Sequence, residues 1–167
     1  SGAYAEAWSH YEACEALAQS SEDEHLGALC LVNHAELMVA LGRPADARRA
    51  VAVAERSFEA LEAHFDAPDV ARVLALCDRA DGLVEHAETR LIRARELARL
   101  TDARLTEAEV GRDLGRLYAD TGRMEQAALA LQEAATTFAT LGATADAAAV
   151  RRELTALGSS RPASPGV

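Results

Sequence analysis

The stretch that decides the fold is LGRLYADTGRMEQAALALQEA, residues 114–134. Its Gly122 is followed five positions later by Ala127, and Leu131 and Ala134 come four and then three residues further on. Apolar residues at three- and four-residue steps form one stripe along a helix. A glycine just before such a stripe is the residue that closes a preceding helix in the left-handed conformation. The stretch therefore predicts two helices joined by a short turn.

The same pattern occurs three times without a gap. The glycines of the three copies are separated by 82 − 42 = 40 and 122 − 82 = 40 residues. The matching sets are Gly42, Ala47, Val51 and Ala54; Gly82, Ala87, Leu91 and Ala94; and Gly122, Ala127, Leu131 and Ala134, with Ala35, Ala75 and Gly115 at a small-residue position upstream. Ala7, Tyr11 and Cys14 fit the same register near the N-terminus. One helical pair cannot bury all its apolar faces, so the repeat predicts pairs stacked on their neighbours.

Leu114-Gly115, Tyr118, Gly122, Ala127, Leu131 and Ala134 resemble the signature of the tetratricopeptide (TPR) repeat family. The first copy departs from it at His34, Ala35 and Met38, and the second at Ala75 and Asp78. The period of 40 leaves about six residues more per unit than the family's usual repeat, at residues 62–67 and 102–107. HEAT-type arrays, with periods of about 40–47 residues, remain an alternative. The resemblance implies an all-α, right-handed solenoid of about eight helices.

The limits of the helices are predicted from N-cap residues and from the helix-breaking residues glycine and proline. Ser21-x-x-Glu24 predicts a capping box at the second helix, and Pro44 and Pro68 suit the first turns of the third and fourth. The expected helices are residues 3–19, 21–41, 44–63, 68–80, 83–100, 103–120, 123–140 and 144–157. They predict one repeat domain over residues 1–158: a half repeat at 1–20, repeats at about 24–63, 64–101 and 103–141, a capping helix at 144–158, and a disordered tail at 159–167.

Composition excludes several classes of function. The formal net charge is −10, and all 17 basic residues are arginine, which argues against a nucleic-acid binder. No apolar run is long enough to span a membrane, and no signal peptide is recognisable. Cys14, Cys30 and Cys77 form no C-x-x-C motif and predict reduced, buried thiols in a cytoplasmic protein. Because the chain opens with Ser1-Gly2, we expect a fragment of a longer protein.

No catalytic motif is recognisable, so we predict neither an enzyme nor a cofactor. His10 and Cys14 are spaced like two metal ligands on one helix, but no further ligand is evident, and no metal is predicted. His34 is expected to be a hydrogen-bonded packing residue. The run Glu22-Asp23-Glu24 is interpreted as helix-start charge, with a partner site as the alternative.

The family resemblance implies that the first helix of each unit lines a concave groove that binds the partner. The positions carried over are Leu29, Val32, Glu36, Arg72, Leu76, Arg79, Arg112, Arg116 and Arg152, with Val39, Asp69 and Glu109 beside them. Arginine forms bidentate contacts with carboxylates, so the expected partner is a protein or peptide with acidic groups. The alternative is that these arginines pair internally with Asp69, Glu109 and Asp113. With no Lys and only Asn33, the family's carboxylate clamp is not supported.

The predicted function is a peptide- or protein-binding repeat module, the regulatory or sensor part of a larger bacterial signalling or transcription protein. The alternative is a structural module that self-associates through exposed repeat ends. The stripe of Tyr4, Ala7, Trp8, Tyr11 and Cys14 is expected to pack on the second and third helices, with contact to a second chain in a homodimer as the other possibility.

Overall fold

The computed structural model describes residues 2–63 and 66–159. In these ranges the chain forms eight helices and no strand, which confirms the all-α fold class. The helices are α1 (Gly2–Ser21), α2 (Glu24–Ala40), α3 (Pro44–Ala60), α4 (Ala67–Ala80), α5 (Val84–Leu100), α6 (Arg104–Asp120), α7 (Met124–Thr140) and α8 (Thr144–Ser159). None of these helices is long and apolar enough to cross a membrane.

The turns between helices share one backbone conformation. Gly42, Gly82, Gly122 and Gly142 have φ values from 75° to 77°, and Glu22, Glu62 and Asp102 have φ values of 54° or 55°. These seven positions are spaced 20 residues apart, from 42 − 22 = 20 to 142 − 122 = 20. At Gly122 the amide donates to the carbonyl of Ala119 at 3.1 Å, and the next amide donates to Tyr118 at 2.8 Å. Each 40-residue repeat therefore consists of two 20-residue halves, and each half ends at a turn residue with a positive φ.

The small residues of the repeat are where helices pack most closely. Ala47, Ala87 and Ala127 are each 0% exposed. A Cβ added to Gly115 would lie only 2.6 Å from Cγ of Leu131, so glycine permits the close packing of α6 against α7. The repeat register thus predicts the core correctly, because small side chains recur where helix axes must be close.

The chain divides into two compact units, Ser1–Leu97 and Ala98–Val167. In the first unit α2 packs on α1, α3 and α4, and α3 packs on α4. Its core includes Val32, Val51, Phe58 and Val73. In the second unit α7 packs on α6 and α8, around Leu131, Phe138 and Val150. A single right-handed solenoid along the whole chain remains a prediction.

The ends of two helices correct the sequence-based predictions. The capping box is wrong, because Ser21 belongs to α1 and its hydroxyl donates to the carbonyl of Leu17 at 2.8 Å. The N-cap of α2 is Asp23, whose carboxylate accepts the amide of Leu26 at 2.9 Å, so the helix-start interpretation is confirmed for this residue. Pro44 opens α3 as expected. The predicted disordered tail lies outside the described residues, except for Ser159 at the end of α8.

Candidate functional site

The arginine predicted at the centre of the groove is held inside the first unit. Arg72 on α4 donates from Nη1 and Nη2 to the two carboxylate oxygens of Glu36 on α2, at 2.8 and 2.6 Å. The side chain of Arg72 is 3% exposed, whereas that of Glu36 is 36% exposed. Both residues belong to the predicted site, and the structure brings them together as a pair. An acidic ligand would reach this guanidinium only by displacing Glu36.

A second set of arginines surrounds a buried carboxylate in the second unit. Asp113 on α6 is 1% exposed, and it lies 3.5 Å from both Arg112 Nε and Arg116 Nη1. Arg116 also forms a bidentate pair with Glu153 on α8, at 2.9 and 2.6 Å. The guanidinium of Arg112 lies 5.8 Å from the centre of the Phe138 ring. These contacts join α6 to α7 and α8.

The remaining predicted residues differ in accessibility. Val32 is buried, Leu29, Leu76 and Arg79 are half-buried, and Arg152 is exposed. The internal pairing that we considered as the alternative occurs for Arg72, Arg112 and Arg116, through Glu36, Asp113, Asp146 and Glu153. Of these partners only Asp113 was expected. Contact of the predicted residues with a partner remains a prediction.

An unpredicted carboxylate joins three helices of the first unit. Asp78 on α4 is 3% exposed, and it accepts hydrogen bonds from Arg48 on α3 at 2.8 Å and Arg90 on α5 at 2.7 Å. Arg48 also donates to Asp81 at 2.8 Å, and hydrogen bonds to Asp81 and Asp78 raise its pKa above the ordinary value. In the sequence this residue stands out only because an acid occupies a position where the repeat family prefers tyrosine. We assign it a structural role.

A wide opening in the first unit is a groove that we call the α1–α3 groove. Its volume is about 840 Å³, and it lies between α1 and α3 over the first turns of α2. Its lining is Ala18, Glu22, Asp23, Glu24, Gly27, Ala28, Leu31, Val53, Arg56, Ser57 and Ala60. The lining combines small apolar side chains with Arg56 and Ser57 on α3, and three carboxylates lie where α1 ends and α2 begins.

Two repeat positions of the α1–α3 groove carry smaller residues than they do one repeat later. The matching cavity one repeat later measures about 280 Å³ and is lined by Phe58 and Ala67, among others. Phe58 corresponds to Ala18 (18 + 40 = 58), and Ala67 corresponds to Gly27 (27 + 40 = 67). The only sign of the groove in the sequence is that Ala18 and Gly27 are smaller than Phe58 and Ala67. This difference in side-chain volume predicts a groove only once these positions are known to line a cavity.

The cysteines correct another prediction. Cys14 on α1 and Cys30 on α2 form a disulfide with their Cα atoms 6.4 Å apart, so the expectation of three reduced thiols is wrong for this pair. The pairing depends on how two helices face each other, which the spacing along the chain does not reveal. Cys77 is free and buried, and burial raises the pKa of its thiol to about 11. In the described ranges, no three His, Cys, Asp or Glu side chains are arranged to hold a metal ion.

His34 lies beside the disulfide in an aromatic setting. Its ring packs edge-on against Trp8, with centroids 4.3 Å apart, and stacks with Tyr11 at 5.9 Å. Its Nε2 atom is buried without a hydrogen-bond partner, so the predicted hydrogen-bonded role is wrong for this nitrogen. Trp8 is half-buried, and its Nε1 donates to Glu12 at 2.9 Å. Trp8, Tyr11 and Cys14 of the α1 stripe contact α2 as expected, whereas packing of the stripe on α3 stays a prediction; the side chains of Tyr4 and Ala7 lie outside the described residues.

Comparison with known proteins adds no relative. No protein-family model matches the chain, and no curated protein matches its sequence. The resemblance to TPR repeats therefore rests on the residues quoted above, and function has to be argued from the geometry.

Proposed function

We propose that this protein is a peptide-binding module whose α1–α3 groove takes a short peptide with small apolar side chains and a basic group at one end. The observation that carries the proposal is the open groove of about 840 Å³. Ligand sites in proteins commonly measure about 300–1,000 Å³ and are mostly apolar, with a few polar groups that fix orientation.

The apolar part of the α1–α3 groove suits the side chains of a bound peptide better than it suits the flat surface of a second folded protein. Ala18 and Ala28 are buried at the base of the groove, where a Cβ added to Gly27 would lie 3.9 Å from Cβ of Ala18, so small residues let α1 and α2 pack closely there. Val53 on the α3 side is 43% exposed and offers apolar area. Filling this space would remove apolar surface from water at roughly 25 cal/mol per Å².

The charges of the α1–α3 groove give the peptide a direction. Glu22 and Glu24 are exposed at one end, next to Asp23, whose carboxylate is already used as the helix cap. Arg56 is the one basic residue of the lining. With a chain charge of −10, a basic group on the peptide is attracted to the acidic end. This reverses the partner charge expected from the arginine set, because Arg72 in the same unit is buried against Glu36.

The experiment selects peptides on the wild-type chain from a phage-displayed library of short peptides. The binding of enriched peptides is then measured by fluorescence anisotropy. Ala18→Phe copies the residue found at position 58 and should fill the groove, weakening binding by about tenfold or more, equivalent to about 1.4 kcal/mol. Circular dichroism and urea unfolding of the variant check that the helices remain intact.

A matched pair of variants tests whether the charge of Glu22 contributes to peptide binding. Glu22 and Glu62 occupy equivalent turns (22 + 40 = 62) with φ values of 55° and 54°, but only Glu22 lines the α1–α3 groove. Glu22→Gln should weaken binding of a basic peptide several-fold at low salt and less at high salt, because exposed charges are screened. Glu62→Gln should leave it unchanged. Enriched peptides that bind Ala18→Phe as tightly as the wild type would overturn the proposal.

Self-association is the second candidate, because large apolar side chains lie on the surface. Leu17 on α1 is 59% exposed and Leu129 on α7 is 62% exposed. Such residues contribute apolar area when two chains meet, although single exposed leucines are common. Sedimentation across a dilution series tests this: a monomer at every concentration excludes assembly, whereas a dimer that is lost in Leu17→Glu locates it on α1.

A further inference from the structure

The disulfide occupies a pair of repeat positions that carry apolar core residues elsewhere in the chain. Adding 40, 80 or 120 to the numbers of Cys14 and Cys30 gives the matching pairs, which are Ala54 with Val70, Ala94 with Val110, and Ala134 with Val150. All six of these residues are buried. The first pair belongs to the core of the first unit, and the last pair to the core of the second. At the α1–α2 hairpin a covalent bond therefore takes the place of an apolar pair.

The helix α1 is packed less tightly than α3 at three matching positions. On α1 these positions carry Tyr11, Cys14 and Ala18, and Tyr11 and Cys14 are only half-buried. Ala18 is buried, but it lacks the aromatic ring that Phe58 provides at the matching position of α3. The α3 residues at all three positions are buried, and they are Val51, Ala54 and Phe58. Because helices are held in place mainly by the apolar area they bury, packing alone holds α1 less firmly than α3.

The disulfide lies one helical turn from a wall of the α1–α3 groove. Cys14 precedes Ala18 by four residues on α1, and Cys30 is the neighbour of Leu31 on α2. Ala18 and Leu31 both line the groove. Residues four apart lie on the same side of a helix. The bond between the two sulfur atoms therefore fixes α1 to α2 next to the place where α1 forms the wall.

We propose that the Cys14–Cys30 disulfide is a redox switch for the α1–α3 groove. When the bond is formed, it holds α1 on α2 and the groove is complete. When the bond is reduced, the weakly packed α1 leaves α2 and the groove loses one wall. The effect on binding rests on the peptide site proposed above, whereas the release of α1 does not depend on that site.

A dithiol reductant supplies what the exchange requires. Cys14 is half-buried and Cys30 is 4% exposed, so attack on the sulfur of Cys14 meets less obstruction. One thiolate of the reductant attacks this sulfur, and Cys30 leaves and takes a proton. The second sulfur of the reductant then attacks the mixed disulfide, and Cys14 leaves and takes a proton. Two electrons reduce the S–S bond of the protein, and the reductant becomes a cyclic disulfide.

The test measures α1 and the groove separately on the whole 167-residue chain. Hydrogen exchange followed by mass spectrometry compares the chain oxidised with glutathione disulfide and the chain reduced with a dithiol. Reduction should speed amide exchange in α1 at least about tenfold. Exchange in α7 and α8, which contain no cysteine, should not change. A fluorescein-labelled peptide enriched by phage selection on the oxidised chain should bind the reduced chain at least about tenfold more weakly.

Two double variants provide matched controls. Cys14→Ala with Cys30→Val copies the pair found in the other repeats, so α1 should stay on α2 and should not respond to the reductant. Cys14→Ser with Cys30→Ser lacks both the bond and the apolar replacement. This variant should behave like the reduced wild type with or without reductant. Circular dichroism checks that both variants remain helical.

The possible outcomes separate the switch from the proposed peptide site. Unchanged exchange in α1 after reduction overturns the switch, whatever the peptide does. A chain in which Cys14 and Cys30 stay unpaired in glutathione disulfide, as peptide mapping would show, overturns it as well. Faster exchange in α1 with unchanged peptide affinity overturns control of the groove. If α1 exchanges faster but no selected peptide binds the oxidised chain, the release of α1 stands and the peptide-binding function falls.

Discussion

Gly82 and Glu62 close successive helices in the same left-handed region of backbone space, with φ values of 76° and 54°. The left-handed region costs an ordinary residue roughly 1–2 kcal/mol, whereas glycine enters it freely but loses about 0.5–1 kcal/mol of chain entropy. We therefore expect Glu62→Gly to stabilise the protein by about 0.5–1 kcal/mol.

The reverse change provides the control. A Cβ added at Gly82 meets nothing within 4 Å, so Gly82→Glu should cost only the backbone preference, about 1 kcal/mol. Both values come from urea unfolding followed by circular dichroism. Loss of stability in Glu62→Gly would show that the Glu62 side chain contributes more than its backbone conformation costs.

The same pair of residues shows what the sequence can and cannot predict. The glycine turns are recognisable because glycine favours positive φ, and they fix the 40-residue period and the helix limits within a few residues. The turns at Glu22, Glu62 and Asp102 are not recognisable, because residues other than glycine seldom adopt this conformation. The repeat thus predicts the core correctly, while three of its seven turns have no glycine to mark them.

The candidate sites depend on contacts between distant residues, and they are predicted less well. The pair of Arg72 and Glu36 joins residues 36 positions apart, and its formation depends on the register of α2 and α4. The disulfide depends in the same way on the register of α1 and α2. Residue types at these positions show that pairing is possible, but they do not select one partner among many carboxylates or thiols.

Breaking the buried ion pair should cost far more than breaking an exposed one. Glu36→Gln removes the carboxylate that forms the bidentate pair with the Arg72 guanidinium, which is 3% exposed. Fully buried pairs lose about 3–5 kcal/mol, and since Glu36 is partly exposed we expect about 2–3 kcal/mol. Glu96→Gln breaks the exposed pair with Arg93, whose side chains are 62% and 59% exposed, and should cost at most about 0.5 kcal/mol. If Glu36→Gln and Glu96→Gln lost equal amounts of unfolding free energy in urea, the distinction between the buried and the exposed pair would be contradicted.

Cys77 should make stability depend on alkaline pH. Burial raises the pKa of its thiol from 9.0 to about 11 in the folded chain. The folded state therefore favours the neutral thiol, and its contribution is fully present below pH 9.0 and is lost as the pH rises through about 11. The wild type should lose on the order of 2 kcal/mol relative to Cys77→Ala over this range. Urea unfolding of both chains at several pH values measures the difference, and parallel profiles would contradict it.

Thiol labelling gives an independent measure of the same group. At pH 8 a buried thiol with a pKa of about 11 is almost entirely protonated, so native Cys77 should react with iodoacetamide only after unfolding. The chain unfolded in urea serves as the positive control. Rapid labelling of the native chain at Cys77 would show that α4 opens locally or that the thiol is less buried than described.

A charge swap can separate the structural role of Arg116 from a role in binding. Arg116→Glu places two carboxylates together at the bidentate contact with Glu153, and we expect a loss of about 1–2 kcal/mol. Adding Glu153→Arg rebuilds this pair with reversed charges and should restore the part of the stability that depends on it, but not the contact of Arg116 with the buried Asp113. The arginine set was predicted to bind acidic groups, so a glutamate-rich peptide is the appropriate probe in fluorescence anisotropy. If Arg116 contacts the ligand, the swapped chain regains stability but not binding, because the arginine is now attached to α8 instead of α6. If the swapped chain binds as the wild type does, or if neither chain binds, Arg116 serves only to hold α6 and α8 together.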